Sequence, residues 1–97
     1  MNNLRTHTLA VEFYRASRKL KLPAVMRDQF DRATLSIPLN LAKGSAKASA
    51  KERRKFYRIA LGSLREVQSL LQLIDNPILF AKADCLGAHL YKLCKQT

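Results

Sequence analysis

Residues 31–58 read DRATLSIPLNLAKGSAKASAKERRKFYR. They hold a proline inside a helical pattern, a small-residue break, a helix start and the densest positive charge in the chain. Phe30, Ala33, Ile37 and Leu41 fall on one helical face, and Leu35 and Leu39 on another. Pro38 interrupts this pattern at a cost of about 3 kcal/mol, through a lost backbone hydrogen bond and a clash with the preceding turn. Two short helices or one kinked helix would satisfy it. Ile37, Leu41 and Gly44 keep their spacing across the proline, so the reading favours one kinked helix from Ala24 to Gly44, with Ser36 and Asn40 supporting the loosened backbone. GSAKASA, residues 44–50, is then the linker, with Gly44 as the helix end. Ser49 followed by Glu52 matches a capping box, which starts a helix at Ala50.

Downstream, the helical period runs to about Asp75. Phe56, Ile59, Ala60, Ser63, Val67, Leu70 and Ile74 form a predicted core stripe, with Leu61, Leu64 and Leu71 as a second apolar line. Two lines exceed what one small core needs, so the surplus is expected to be buried between copies, at Leu61, Leu64 or their neighbours. Glycine at Gly62 costs about 1 kcal/mol relative to alanine in a helix, and Gly62-Ser63 reads as a place where a neighbouring helix approaches closely. Asn76-Pro77 is a further start signal. Leu79, Leu86, Leu90 and Leu93 line the last helix, which runs almost to Thr97, with Phe80, Ala83, Gly87 and Tyr91 beside them.

Upstream, Thr6 or Thr8 is the expected cap of a first helix carrying Leu9, Phe13, Ala16 and Leu20, with Val11 and Tyr14 widening its apolar arc and Pro23 ending it. No strand-like alternation or internal repeat occurs. The expectation is all-α, an up-down-up-down antiparallel four-helix bundle in a single domain over residues 1–97.

The charge balance narrows the partners. Eighteen Lys and Arg against seven Asp and Glu give +11 at neutral pH, and between Asn40 and Arg58 seven basic residues face only Glu52. Such clustering suits nucleic acid first and an anionic membrane surface second. Arg54, Arg58 and Arg65 share one helical stripe with Leu61, and Tyr57 beside it is placed to stack on a base. A plain solvated face, or pairing with Asp28 and Asp31 of another copy, is the competing account of the same charges. No apolar run nears the roughly 20 residues that span a bilayer, and no secretory leader is evident, so a cytoplasmic protein with no membrane association is expected. Cys85 and Cys94, nine apart, fall on different faces of one helix and should stay reduced.

Catalysis finds little support. His7 and His89 lie on different helices without closely spaced ligands, and there is no glycine-rich phosphate loop. Glu66, alone among apolar neighbours, reads as a buried or half-buried carboxylate held by a cation or an amide. No enzyme, metal or cofactor is expected.

The string SIPLNLAKGSAKASAKERRKFYRIALGSLREVQSLL resembles the four-helix-bundle family encoded in intervening sequences of bacterial 23S rRNA genes, whose pattern is similar to SIPxNIAEG, a small and basic turn, then RFxxIAxGSLxE. Pro38, Asn40, Gly44, Gly62, Ser63 and Glu66 fall in motif positions, and LAVEFYRASRKL and DQFDRATLSIP also look like the family. The resemblance implies a left-handed bundle assembling into a ring, commonly a homopentamer. It implies kinship with the accessory variability protein of diversity-generating retroelements, which works with a reverse transcriptase and RNA, and it implies no catalytic residues. Lys43 departs from the motif, which has glutamate there; pairing with Glu66 across helices is one expected consequence and weakened assembly is another.

The sequence therefore leads to a non-enzymatic homo-oligomer that binds nucleic acid, RNA favoured and DNA allowed, through phosphate contacts from Lys47, Lys51, Arg53, Arg54, Lys55, Arg58 and Arg65. The alternative is an adaptor whose basic face docks an acidic protein such as a reverse transcriptase.

Overall fold

The computed structural model describes residues 2–96, and side chains from residue 4 onward. Four helices, α1 (Asn2–Arg18), α2 (Ala24–Ser45), α3 (Ala50–Leu71) and α4 (Pro77–Gln96), pack up-down-up-down in a body of 40 × 21 × 18 Å. Each helix packs on its chain neighbours and α4 closes onto α1, with the most extensive seam between α2 and α3. Short connections force antiparallel neighbours, and the bundle follows.

Two starts form as their residues dictate. Ser49 caps α3 by accepting from the Glu52 amide at 3.1 Å, while the Glu52 carboxylate meets the Ser49 hydroxyl at 3.4 Å. Asn76 Oδ1 accepts from the Leu79 amide at 2.9 Å, with Pro77 as the first residue of α4. The first start differs from expectation. Helix α1 is already under way by Asn2, Thr6 is buried, and Thr8 donates back to the Leu4 carbonyl at 3.1 Å, so neither threonine is a cap.

Helix α1 also stops at Arg18, well before Pro23, and Leu20 packs on the core from the loop. Pro23 instead precedes α2, where its carbonyl accepts from the Met26 and Arg27 amides at 2.9 and 3.0 Å. The Arg27 guanidinium ties this corner by donating to the Leu20 carbonyl and to Asp31 at 2.8 Å.

Helix α2 runs through Pro38 as one element, ending at Ser45. Asn40 Nδ2 donates to the Ser36 carbonyl at 2.9 Å and to its hydroxyl at 3.0 Å. The Ser36 hydroxyl reaches Ser63 of α3 at 2.8 Å, so the proline turn is braced against its neighbour.

One core joins all four helices, with Phe30, Ile37 and Leu41 of α2 and Leu86 and Leu90 of α4 at its centre. Buried hydroxyls are accommodated by back-bonding one turn earlier, Ser17 to Phe13 at 2.8 Å and Thr34 to Phe30 at 2.9 Å.

The core face of α3 corrects the predicted stripe. Tyr57, Ala60, Leu64, Val67 and Leu71 are buried, whereas Ile59 is exposed and Phe56, Ser63 and Leu70 only half-buried. Gly44 is the cause: a Cβ on it would lie 2.6 Å from Tyr57 Cε1, so the bare backbone makes room for the phenol ring. Leu64 thereby belongs to the chain's own core and supplies no surplus for contacts between copies, while Leu61 packs on that core half-buried. The helix ends at Leu71, short of Asp75. Leu73 and Ile74 donate three residues back, to Leu70 and Leu71, and this tighter turn brings Ile74 onto the core.

Gly62 is not a close approach. Nothing within the chain lies within 4 Å of a Cβ placed there. Gly62→Ala is therefore expected to stabilise the folded subunit by about 0.5–1 kcal/mol, read as a higher urea midpoint at low protein concentration with an unchanged m-value.

Candidate nucleic-acid interface

The first two turns of α3 gather the basic side chains. Lys51, Arg54, Lys55 and Arg58 line one open groove of about 600 Å³, with Glu52 as its only acid. Their spacing places successive cations one turn apart on the outer side of a helix whose opposite side, from Tyr57 to Leu71, is buried. Arginine forks at Arg54 and Arg58 match phosphate oxygens bidentately, and lysines add point charge.

The other basic residues are placed differently. Arg53 Nη1 donates to the Lys47 and Ala48 carbonyls at 3.1 and 2.8 Å and so holds the α2–α3 loop. Lys47 lies over the Phe56 ring, 5.3 Å from its centroid. Arg65 sits two turns beyond Arg58, exposed, and donates to Gln68 at 2.8 Å. It lines a second groove, between α3 and α4, with Asp84, Gly87, Ala88 and Tyr91.

Tyr57 is 2 % exposed and is unavailable to any base. The aromatic ring beside the arginine stripe is Tyr91, 52 % exposed on α4, with Lys95 Nζ 5.6 Å from its centroid. Its position next to Leu90 in an amphipathic pattern carried a signal, since it follows the core stripe without belonging to it. What the sequence lacked was the helix across from it. Burial pushes the Cys94 thiol up and the Arg58 guanidinium partly opposes this, a sign that Arg58 also lies along α4. Cys85 is exposed and both cysteines are free thiols.

The motif residues trace the α2–α3 seam. Gly44 receives Tyr57, Ser36 bonds across to Ser63 while Asn40 donates to Ser36 within α2, and Pro38 is buried. Glu66 is exposed, against the expectation of a buried or half-buried carboxylate, but it does have the expected amide partner, accepting from Gln29 at 3.2 Å. Lys43 does not pair with it: Lys43 is exposed one residue before Gly44, at the Tyr57 end of the seam, more than two turns from Gln29 and Glu66.

Among the described residues, no group of three or more His, Cys, Asp or Glu is arranged to hold a metal ion. His89 shares a small cavity of about 100 Å³ with Thr6, Lys92, Leu93 and Gln96. No described helix is long and apolar enough to cross a membrane.

Fold and site together define a strongly basic four-helix bundle whose charge is concentrated at the start of its third helix. Residues 4–96 match the family described as 23S rRNA-intervening sequence protein, and the chain belongs to that family. Neither a curated protein nor a solved structure matches the chain significantly.

Proposed function

We propose that this protein is a non-enzymatic, cytoplasmic homo-oligomer that binds nucleic acid, RNA first, mainly through phosphate contacts. The observation that carries the reading is the groove of Lys51, Arg54, Lys55 and Arg58 with one opposing acid. Clustered cations release counterions from a phosphate backbone, and this sequence-independent term is large. The preference for RNA rests on the family's rRNA-gene setting.

Assembly is supported by apolar side chains on the outer side of the α2–α3 pair. Leu35, Leu39 and Ile59 are 41–49 % exposed, and the open Gly62 lies on the same helix as Ile59, less than one turn away. The Ser36–Ser63 and Gly44–Tyr57 pairings set a register that brings Ile59 and Gly62 level with the turns around Leu39. Repeating the basic groove around a ring, five-fold in the resemblance, multiplies weak contacts through effective concentration.

Fluorescence anisotropy of labelled single-stranded and duplex RNA and DNA across a salt series tests the reading, with sedimentation equilibrium on the same sample. Log affinity is expected to fall linearly with log salt by several units, for every sequence, and the mass to exceed that of one chain. Binding that ignores salt overturns the phosphate contacts, and a monodisperse monomer at micromolar concentration overturns the assembly.

A further inference from the structure

The groove between α3 and α4 differs in chemistry from the basic groove beside it. Its volume is about 320 Å³, and its lining is Arg65, Asp84, Gly87, Ala88 and Tyr91. We propose that it takes an unpaired nucleobase, so that the protein prefers single-stranded nucleic acid and favours a base with amino hydrogens on its Watson–Crick edge, guanine first. This rests on the nucleic-acid reading above.

Two flat groups wall the groove. The phenol of Tyr91 is half exposed on α4. The guanidinium of Arg65 on α3 is steadied by its 2.8 Å bond to Gln68. Unpaired bases stack on aromatic rings and on guanidinium planes, and such stacking tolerates salt better than phosphate contacts do. The floor is low. Gly87 lies beneath the Leu64, Arg65 and Gln68 side chains, where an added Cβ would crowd Leu64 Cδ2 at 3.0 Å and meet Arg65 Nη1 at an ordinary contact distance of 3.4 Å. Ala88 adds only a methyl group.

Asp84 decides the class of ligand. A carboxylate inside the groove repels phosphate, so the site is not one more stop for the backbone. It accepts hydrogen bonds from base amino and imino groups, as Asp and Glu do from cytosine. Guanine offers two adjacent N–H donors to its two oxygens, whereas uracil offers one N–H flanked by acceptors. A base in a duplex is stacked and paired and does not enter. The backbone of the same strand then follows α3 toward Arg58 and Arg54, about two and three turns from Arg65 along a shared stripe.

The test compares the full chain with Tyr91→Ala, Tyr91→Phe and Asp84→Asn, by anisotropy at one salt concentration. The probes are a uridine-only RNA strand, the same strand carrying guanines, and an RNA duplex, with thermal melts as a folding control. Tyr91→Ala is expected to weaken strand binding by about fivefold to a hundredfold, the range for one stacked base, and to leave the duplex unchanged. Tyr91→Phe keeps the parent affinity. Asp84→Asn abolishes the guanine preference. Equal losses on strand and duplex, no loss on either, or no guanine preference in the parent overturns the base site, while the salt-dependent phosphate binding stands. A parent that binds none of the probes overturns both.

Discussion

Tyr57→Ala is expected to lower the unfolding free energy by about 3–5 kcal/mol, the range for deleting a buried aromatic side chain. Against the 5–15 kcal/mol typical of a small domain, this is a large share. Tyr57 is 2 % exposed and fills the space that Gly44 leaves open on α2. Gly44→Ala attacks the same contact from the other side. Its Cβ would meet Tyr57 Cε1 at 2.6 Å, Tyr57 Cδ1 at 2.9 Å and the Arg53 carbonyl at 3.2 Å. Overpacking of this kind costs about 1–3 kcal/mol. The two changes are coupled, and the coupling has a sign. Once the ring is gone, alanine at position 44 keeps its helix preference of roughly 1 kcal/mol over glycine and loses most of its clash. Gly44→Ala should therefore be destabilising in the parent and neutral to stabilising in the Tyr57→Ala background. Urea unfolding of the four proteins gives the interaction energy directly. Additive losses would show that the glycine is not there for the ring.

Replacing Lys51, Arg54 and Arg58 together by glutamine is expected to weaken duplex binding by a hundredfold or more, as an order of magnitude, and to flatten the log-log salt slope by about 2.7 units on duplex and about 2 on single strands. These values follow from one counterion released per phosphate contact, at roughly 0.9 for duplex and 0.7 for single strands. The three side chains share one groove, so they act on the same stretch of backbone. Glutamine is a good helix former, so α3 should persist and its melting temperature should barely move. Affinity lost without a change in slope would mean that the contacts are not to phosphates. Unchanged affinity would make the groove a solvated face and direct attention to protein partners. Arg53 is a useful contrast. Its Nη1 holds the Lys47 and Ala48 carbonyls, so Arg53→Gln is expected to loosen the loop more than the slope.

Much of this protein is legible in its residues because local rules act locally. Ser49 with Glu52 and Asn76 with Pro77 start their helices as capping chemistry requires, since each cap needs only atoms three residues away. The continuity of α2 through Pro38 was readable because the apolar spacing survives the proline. The charge cluster is a property of residue order, and so is its placement on the first turns of α3. The motif spanning Pro38 to Glu66 pointed to the family that residues 4–96 match.

Rotation and partnership were not legible. Helix α3 is apolar over a wide arc, so 3.6-residue spacing fits a stripe through Phe56 and Ile59 as well as one through Tyr57 and Leu64. Which one turns inward depends on Gly44, across the seam on another helix. The same dependence moved the accessible aromatic from Tyr57 to Tyr91, released Gly62 from the packing its helix position implied, and put Gln29 rather than Lys43 against Glu66. The sequence by itself determined the helices, their order and the charge they carry, because those depend on neighbours along the chain. The tertiary structure alone decided which face each helix buries and which side chains from different helices share a groove, because those depend on volumes and vacancies supplied by residues distant in sequence.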